Sequence, residues 1–387
     1  MCQNAPVRVA FALVIAAAAC SSKSSGAPTP PPPPPSASDA AVAPPPPADP
    51  RVARGQAAFQ KYCALCHGPE AKGYVADHAP SLVTDTFLES ADDTFIARSI
   101  ELGRPNTPMA GYGKELGGPL SDADIVDIVA WLRYQRPTYK APPPATGKGD
   151  AKAGAALYAS TCQKCHGDPA TRIDAVQLGH PVFLALASDA FIRDAIVRGR
   201  PGTPMEAFGD KLSAQQIDDL VAHLRSWATP PVPPAPPPIP TPTGPVVLNA
   251  KGKAPTFTLR EDRFVPSAQV AAALKQKRKM VIVDARPPSD WLALRIPGAI
   301  SIPHYEPAAI ANIPNDGTWV LAYCACPHHA SGIIVDELRK LGYQHTAVID
   351  EGILFWHQQG FPVEGTAAGQ PLPKAPPGPA APHDHVH

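Results

Sequence analysis

An internal repeat is the feature that most constrains the fold of this 387-residue chain. The segment YCALCHG at residues 62–68 returns as TCQKCHG at 161–167, an offset of 99 residues, and GRPNTPM at 103–109 returns as GRPGTPM at 199–205, an offset of 96. The two copies therefore differ by a three-residue deletion between the motifs. Self-similarity of this kind predicts two homologous units of roughly 85 residues each.

Each copy carries the pattern Cys-x-x-Cys-His. This spacing lets two thiols form thioethers with the vinyl groups of one porphyrin, while the adjacent histidine becomes an axial ligand. One such match could be an accident or half of a zinc site, but two matches embedded in a repeat argue against both. We therefore predict two covalently bound haem c groups with their iron. The predicted attachment residues are Cys63, Cys66, Cys162 and Cys165, and the predicted proximal ligands are His67 and His166.

The second shared segment ends in a methionine. Met109 and Met205 each follow the cysteine motif by about forty residues, and the chain has only four methionines. A thioether is a soft sixth ligand that favours ferrous iron and raises the reduction potential. The alternative is that each methionine fills a gap in the core.

Each unit also ends in an amphipathic helix, one capped by Ser121 and one by Ser213. The predicted core faces are Ile125, Ile128, Val129 and Leu132 in the first helix, and Ile217, Leu220, Val221 and Leu224 in the second. With these features, residues 51–137 and 150–228 resemble class I cytochrome c, a small all-helical fold around one haem.

The resemblance implies that His67 and His166 are proximal ligands and that Met109 and Met205 are distal ones. It also implies a backbone carbonyl that orients each proximal imidazole. The first unit keeps the family's proline in APSL at 79–82, whereas the second has AVQL at 175–178, where Val176 can still offer a carbonyl. The two haems are therefore expected to differ in potential.

The third region has a different pattern of apolar residues. Short β-rich runs such as KMVIVDAR and WVLAYCACP alternate with a helical pattern at Ile333, Ile334, Leu338 and Leu341. This alternation predicts a parallel α/β sheet, with functional sites at the carboxyl ends of the strands. Residues 262–365 resemble rhodanese in VDARPPSDW, RIPGAISIP and DEGILFW. The resemblance implies that Cys324 is the sulfur-accepting cysteine, in a loop whose amides stabilise a thiolate and then a persulfide.

Cys326 has no counterpart in the common rhodanese pattern, and His329 stands where a basic residue is usual. We weigh four roles for the pair Cys324 and Cys326: a nucleophile with a resolving thiol, a strained disulfide, a metal site, or two inert residues in a binding domain. His328 and His329 would either bind an anionic sulfur donor and assist proton transfer, or be solvated loop residues.

The distribution of proline and the two terminal segments predict the linkers, an export signal and the tail. Of the 52 prolines, 32 lie in four segments that read as extended spacers. The apolar run VAFALVIAAAAC is too short to span a bilayer and has the form of an export signal. Its end resembles a bacterial lipobox, which makes Cys20 the expected lipidation site; an ordinary cleaved signal is the alternative. The tail HDHVH would bind a metal or be a solvated terminus.

The predicted layout is a signal peptide at 1–20, a Pro-rich linker at 21–50, a cytochrome c domain at 51–137, a linker at 138–149, a second cytochrome c domain at 150–228, a Pro-rich linker at 229–261, a rhodanese-like domain at 262–365 and a disordered tail at 366–387.

The balance of 34 basic against 34 acidic residues gives no reason to expect a nucleic-acid partner. We expect a periplasmic, membrane-anchored electron-transfer protein that meets redox partner proteins and small sulfur compounds. The alternatives are an electron relay with a non-catalytic third domain, and a sulfurtransferase whose haems sense redox state.

Overall fold

The computed structural model describes residues 49–76, 78–105, 107–135, 139–144, 147–171, 173–229, 246–325 and 329–369. The expected lipidation site Cys20, the loop residues Cys326 and His328, and the tail beyond residue 369 lie outside the described residues. Among the residues described, no helix is both long and apolar enough to cross a membrane.

Helices build both repeat units, as the sequence predicts. The first unit contains α1 (Pro50–Tyr62), α2 (Ala64–His67), α3 (Asp85–Ser90), α4 (Asp93–Leu102) and α5 (Asp122–Gln135), with a 3-10 turn at Lys114–Leu116. The second unit contains α6 (Ala151–Thr161), α7 (Gln163–His166), α8 (Pro181–Leu186), α9 (Asp189–Arg198) and α10 (Ala214–Arg225). In each unit the first long helix packs on the last, α1 on α5 and α6 on α10.

A glycine permits each of these helix crossings. A Cβ added at Gly55 would lie 1.8 Å from the carbonyl oxygen of Asp127, and one added at Gly154 would lie 2.0 Å from that of Asp219. Close-packed interiors have no room for such an approach, so any side chain would push the helices apart. Each glycine stands eight residues before the first cysteine of its unit, at positions 55 and 63 and at 154 and 162.

The last helix of each unit begins and packs as predicted. The Ser121 hydroxyl accepts from the Asp124 amide at 3.3 Å, and Ser213 forms a reciprocal capping box with Gln216. All eight predicted core residues are buried: Ile125, Ile128, Val129, Leu132, Ile217, Leu220, Val221 and Leu224. Buried apolar residues of both units join in one continuous core.

The third region is a parallel α/β sheet, again as predicted. Its elements are β1 (Phe264–Val265), α11 (Ser267–Lys275), β2 (Val281–Asp284), α12 (Pro288–Ala293), β3 (Ile300–Ser301), a 3-10 helix at Pro307–Asn312, β4 (Val320–Tyr323), α13 (His329–Lys340), β5 (Thr346–Ile349) and α14 (Gly352–Gln358). The strand order is β1-β5-β4-β2-β3, and every adjacent pair is parallel. The strands β2, β4 and β5 are buried along their whole length.

Two expectations about this region need correction. The helical pattern places Leu341 on the buried face, but α13 ends at Lys340 and Leu341 is 58% exposed. Residues 246–261 fall in the predicted spacer, yet Val246 and Val247 pack on the core, and Leu248 forms a backbone bridge with Met280. Apolar side chains at the end of the proline-rich segment therefore pack on the sheet domain.

Candidate functional site

The predicted proximal histidines occupy matching positions. Each ends a one-turn helix, α2 or α7, that also carries the second cysteine of its motif; we call Cys63–His67 and Cys162–His166 the attachment turns. His67 Nδ1 lies 2.9 Å from the Pro80 carbonyl oxygen, and His166 Nδ1 lies 2.8 Å from that of Val176. A ring that donates Nδ1–H to a carbonyl keeps Nε2 available for a metal. The expected carbonyl partners are thus present in both units.

Burial lowers the pKa of both imidazoles, and the hydrogen bond to the backbone carbonyl opposes that shift in each case. Lowering the pKa favours the neutral ring, which is the form that coordinates iron. Burial also raises the pKa of the Cys63 thiol to about 12 and that of Cys162 to about 11. Without a bound porphyrin, burial therefore favours the protonated form of both thiols.

The two methionines end identical turns. The Arg104 amide donates to the Met109 carbonyl at 2.7 Å, and the Arg200 amide donates to the Met205 carbonyl at 2.8 Å. The amide of each methionine in turn donates to a threonine hydroxyl two residues earlier, at 3.2 Å in both units. The GRPxTPM repeat therefore produces the same arginine, threonine and methionine contacts in both units.

The structure brings the four candidate ligands His67, Met109, His166 and Met205 to one cavity. Cys63 and Cys66 also line it, together with aromatic residues from both units such as Phe95 and Phe191. These two rings pack with centroids 4.7 Å apart. The cavity therefore runs across the boundary between the units.

Two arginines of the GRP segments also line this cavity. Arg104 Nη2 donates to Ser99 at 3.1 Å, and Arg200 Nη1 donates to the Gly199 carbonyl at 3.0 Å. No carboxylate forms an ion pair with either one within the described ranges. Burial lowers the pKa of each guanidinium to about 10. A bound group that carries carboxylates, as haem does, would supply the missing countercharge, so the cavity fits the predicted cofactor.

Direct contacts join the two units around the cavity. The Thr86 hydroxyl donates to the Gly199 carbonyl at 2.8 Å, and Arg198 forms an ion pair with Glu89 at 2.6 Å. His180 is buried, with Nε2 placed 3.0 Å from the Pro105 carbonyl oxygen and Nδ1 placed 3.2 Å from the Val182 amide. The sequence motifs do not single out any of these residues.

The predicted sulfur site lies at the carboxyl end of β4, as the strand pattern indicates. Cys324 follows Tyr323 directly and is only 3% exposed. Its Sγ lies 3.3 Å from the Ser331 hydroxyl in the first turn of α13, and its carbonyl accepts from the Ile353 amide at 3.0 Å. His329 begins α13.

Next to this site, the segment VDARPPSDW forms a buried ion network. Arg286 donates to both carboxylate oxygens of Asp284, at 2.9 and 2.7 Å, and lies 3.5 Å from Asp290. Burial raises the pKa of Asp290 to about 6, while Arg286 pulls it down. The buried guanidinium is thus compensated within the domain and serves to hold the loop after β2.

The first unit and the sheet domain are in contact at the carboxyl edge of the sheet. The Tyr62 and Tyr305 rings meet edge to face with centroids 4.8 Å apart, and the Ser289 hydroxyl donates to the Gly111 carbonyl at 2.5 Å. Leu65, inside the first attachment turn, packs against the apolar cluster that contains Cys324.

Comparison with known proteins finds two families that match separate parts of this chain. The sequence family described as cytochrome c oxidase, cbb3-type, subunit III matches residues 50–132 and 149–224, and the rhodanese-like domain family matches residues 267–359. A cbb3-type cytochrome c oxidase subunit FixP from Bradyrhizobium sp. is 30% identical over 185 residues, covering 45% of this chain and 60% of the relative. The CcoP subunit from Azospirillum sp. is 24% identical, over 45% of this chain and 62% of the relative.

The chain thus matches about 60% of the length of these curated relatives. Among solved structures, the rhodanese-like domain of an Anabaena sp. protein is 21% identical to this chain. The match covers 33% of this chain and 93% of the solved chain, with a TM-score of 0.26. Domains of the cytochrome c family bind haem c covalently and transfer electrons. The chain therefore combines two helical cytochrome c domains, which are similar to the cbb3-type subunit III family, with a rhodanese-like domain that follows them.

Proposed function

We propose that this chain is a periplasmic dihaem cytochrome that relays electrons and accepts sulfur at Cys324 of its rhodanese-like domain. The observation that supports the dihaem assignment is the cavity lined by His67, Met109, His166 and Met205 together. A potentiometric titration followed at the haem absorbance bands should consume two electron equivalents per chain. A single equivalent would contradict the proposal.

The proposed ligand sets follow the repeat. Cys63 and Cys66 would hold one haem with His67 and Met109 as axial ligands, and Cys162 and Cys165 would hold the other with His166 and Met205. The cofactor supplies a one-electron couple whose potential the methionine thioether raises. The carbonyls of Pro80 and Val176 orient the imidazoles.

For the redox partners, the proposal draws on the relatives. Several are subunits of cbb3-type oxidases, so an oxidase of that class is the proposed electron acceptor. A purified oxidase of this class should reoxidise the reduced chain and consume oxygen. Failure to oxidise it at any ratio would remove this acceptor.

The proposed location rests on the sequence before residue 49. An export signal that ends at Cys20 would place the chain in the periplasm with a lipid anchor. Because one acyl chain binds a bilayer only reversibly, firm attachment requires more than one chain on the anchor. Cys20→Ala should release the protein from membranes, and a wild-type chain found wholly in the soluble fraction would contradict the anchor.

At Cys324 the proposed reaction is transfer of sulfane sulfur. The thiolate attacks the outer sulfur of thiosulfate, a sulfur–sulfur bond forms to Cys324, and the bond to the sulfonate sulfur breaks to release sulfite. No electrons leave the sulfur atoms in this step. The start of α13 and the Ser331 hydroxyl at 3.3 Å lie on the side where negative charge on Sγ would need stabilisation.

Mass spectrometry after thiosulfate treatment tests this reaction. The reduced wild type should gain one sulfur atom, Cys324→Ser should gain none, and Cys326→Ser should gain it but release it more slowly, since Cys326 is the proposed resolving thiol. If Cys324→Ser and Cys326→Ser lose the added sulfur to the same extent, the two cysteines act as a dithiol redox pair instead.

A second candidate for this domain is a non-catalytic docking module. The observation that favours it is that Cys324 is only 3% exposed and that the carboxyl edge of the sheet contacts the first cytochrome unit. Absence of any persulfide in the reduced wild type with thiosulfate and with polysulfide, both of which carry sulfane sulfur, would favour this alternative.

A further inference from the structure

We infer that electrons released by sulfur oxidation at Cys324 enter the cytochrome part at the first unit, across the contact between Tyr62 and Tyr305. This inference rests on the sulfur chemistry proposed above and adds to it the electron donor, the entry point and the residues that carry the transfer.

The contact surface is built from the attachment turn on one side and the carboxyl edge of the sheet on the other. Tyr305 follows β3, Ser289 follows β2 and Cys324 follows β4. These strands are neighbours in the order β4-β2-β3, with Asp284 opposite Tyr323 and the His304 amide donating to the Ala285 carbonyl at 3.0 Å. At about 4.8 Å between strands, the segment that carries Tyr305 lies roughly 10 Å from β4, the strand that Cys324 follows.

On the cytochrome side, Tyr62 connects this surface to the cavity. Tyr62 and Tyr112 both line the cavity that holds the candidate ligands, and their ring centroids are 6.3 Å apart. Tyr305 meets Tyr62 at 4.8 Å, and Lys61 lies over both of those rings, 5.0 and 5.8 Å from their centroids. An unbroken set of aromatic contacts thus leads from the sheet edge to the wall of the cavity.

The second unit lacks this surface, although it repeats the fold. The positions of Tyr62 and Leu65 are occupied by Thr161 and Lys164, and Lys164 is exposed. Since the two attachment turns are otherwise equivalent, Tyr62 and Leu65 are explained by the contact of the first unit with the rhodanese-like domain. They are not a requirement of the cytochrome fold.

The hydroxyl of Tyr305 offers a further indication that stability does not explain this contact. It is buried and has no hydrogen-bond partner in the part of the chain that the structure describes. Leaving a buried hydroxyl unpaired destabilises a fold. The ring, rather than the hydroxyl, makes the contact with Tyr62 and is the element that the inference requires.

The electron balance identifies the donor as sulfide. Transfer from thiosulfate yields a persulfide with no electrons to spare, whereas the Cys324 thiolate and hydrosulfide together form the Cys324–S–SH bond and release two electrons. Each sulfur rises by one oxidation level, and the two ferric haems of one chain accept one electron each. Burial of Cys324 in an apolar cluster also favours hydrogen sulfide or the hydrosulfide anion over a dianion, because desolvating two charges is more costly.

The experiment uses the full-length protein with both haems oxidised, and sulfide as the probe. Rapid mixing should reduce two haem equivalents and leave one persulfide in the wild type, and Cys324→Ser should remove the fast phase. Tyr305→Ala and Tyr62→Thr, the latter borrowing the residue of the second unit, should slow haem reduction at least tenfold. Tyr305→Phe keeps the ring and should stay within about twofold of the wild type.

Controls separate this route from general damage. Lys152→Ala, at an exposed site of α6 outside the attachment turn, should leave the rate unchanged, and every variant should be reduced by ascorbate as the wild type is. Hydrogen exchange should show faster exchange of the amides at residues 302–306 in Leu65→Lys, with or without sulfide, if that leucine holds the contact.

The outcomes are distinguishable. If thiosulfate loads Cys324 but sulfide reduces the haems equally fast in Tyr305→Ala and the wild type, the inferred route is wrong while the sulfur chemistry stands. If no donor forms a persulfide, the proposed sulfur chemistry and the route fail together, and the exchange result then reports only a structural contact.

Discussion

The two cytochrome units share one fold and differ in what touches their attachment turns. Both place a histidine Nδ1 2.8–2.9 Å from a backbone carbonyl, and both end the distal loop with the same amide contacts. At the first turn, however, Leu65 and the preceding Tyr62 pack against the rhodanese-like domain, whereas the second turn has an exposed Lys164 and is preceded by Thr161. The repeat preserves what holds the cofactor, and the differences between the copies mark where each one meets other surfaces.

The largest predicted effect separates the two units by their methionines. Met109→Leu and Met205→Leu each remove one thioether ligand, so each should alter the spectrum of only one haem. The potential of that haem should fall by on the order of 0.2 V, part of the roughly 0.8 V range that axial ligands control. Potentiometry measures both reduction potentials. If a variant leaves both potentials unchanged, the methionine that it replaces is not an axial ligand.

A second prediction tests whether the first and last helices of both units pack too closely to accept a side chain at the crossing. Gly55→Ala and Gly154→Ala place a Cβ about where a backbone carbonyl stands, so each should destabilise the fold by roughly 2–3 kcal/mol through overpacking. Urea unfolding monitored by circular dichroism gives the free energies. Ala53→Gly, at an exposed site of α1, is the control and should cost about 1 kcal/mol. Alanine variants as stable as the wild type would contradict the close crossing.

Acid should weaken the contact between the units through His180. Burial and the nearby Arg104 lower the pKa of this imidazole from 6.5 to about 4, while its bond to Pro105 raises it. Below pH 6.5 His180 binds a proton in the unfolded chain but not in the folded chain. The free energy of unfolding therefore decreases as the pH falls from 6.5 to 4. The full loss is about 3 kcal/mol.

Unfolding measured at several pH values checks this prediction. His180→Thr introduces the residue at the equivalent position of the first unit, Thr84, whose hydroxyl also caps a helix. This variant should lose most of the pH dependence between 6.5 and 4. An unchanged slope would mean that another group titrates there.

The smallest predicted effect concerns the two cavity arginines. Replacing Arg104 or Arg200 with glutamine removes a positive charge that disfavours ferric iron, so the potential of the nearer haem should fall by less than it does in the methionine variants. Arg98→Gln is the control because that side chain is paired with Glu101 on the surface. A rise in potential would contradict the assigned electrostatics.

Much of the fold follows from sequence because its signals are local. The helical repeat, the capping serines and the strand before Cys324 are patterns of neighbouring residues, and all appear in the structure. The exposed Leu341 is one exception, because periodicity alone does not show that α13 stops one residue earlier.

The contacts that the sequence does not reveal depend on residues far apart in the chain. His180 meets Pro105 and Tyr305 meets Tyr62 only after separate units have folded, so no spacing rule points to them. Gly55 and Gly154 could have been found, because they stand at the same position of the repeat. A residue-by-residue comparison of the two copies, extended beyond the cysteine and methionine motifs, would identify this pair of glycines.

If each repeat unit holds its own haem through its own cysteine pair, both haems will stay attached to the unfolded chain, because thioether bonds survive denaturation. Intact mass spectrometry of the mature, denatured protein measures this. We expect two haem additions per chain in the wild type, and one in a variant with Cys162 and Cys165 replaced by alanine. A wild-type chain that carries one haem or none would contradict it.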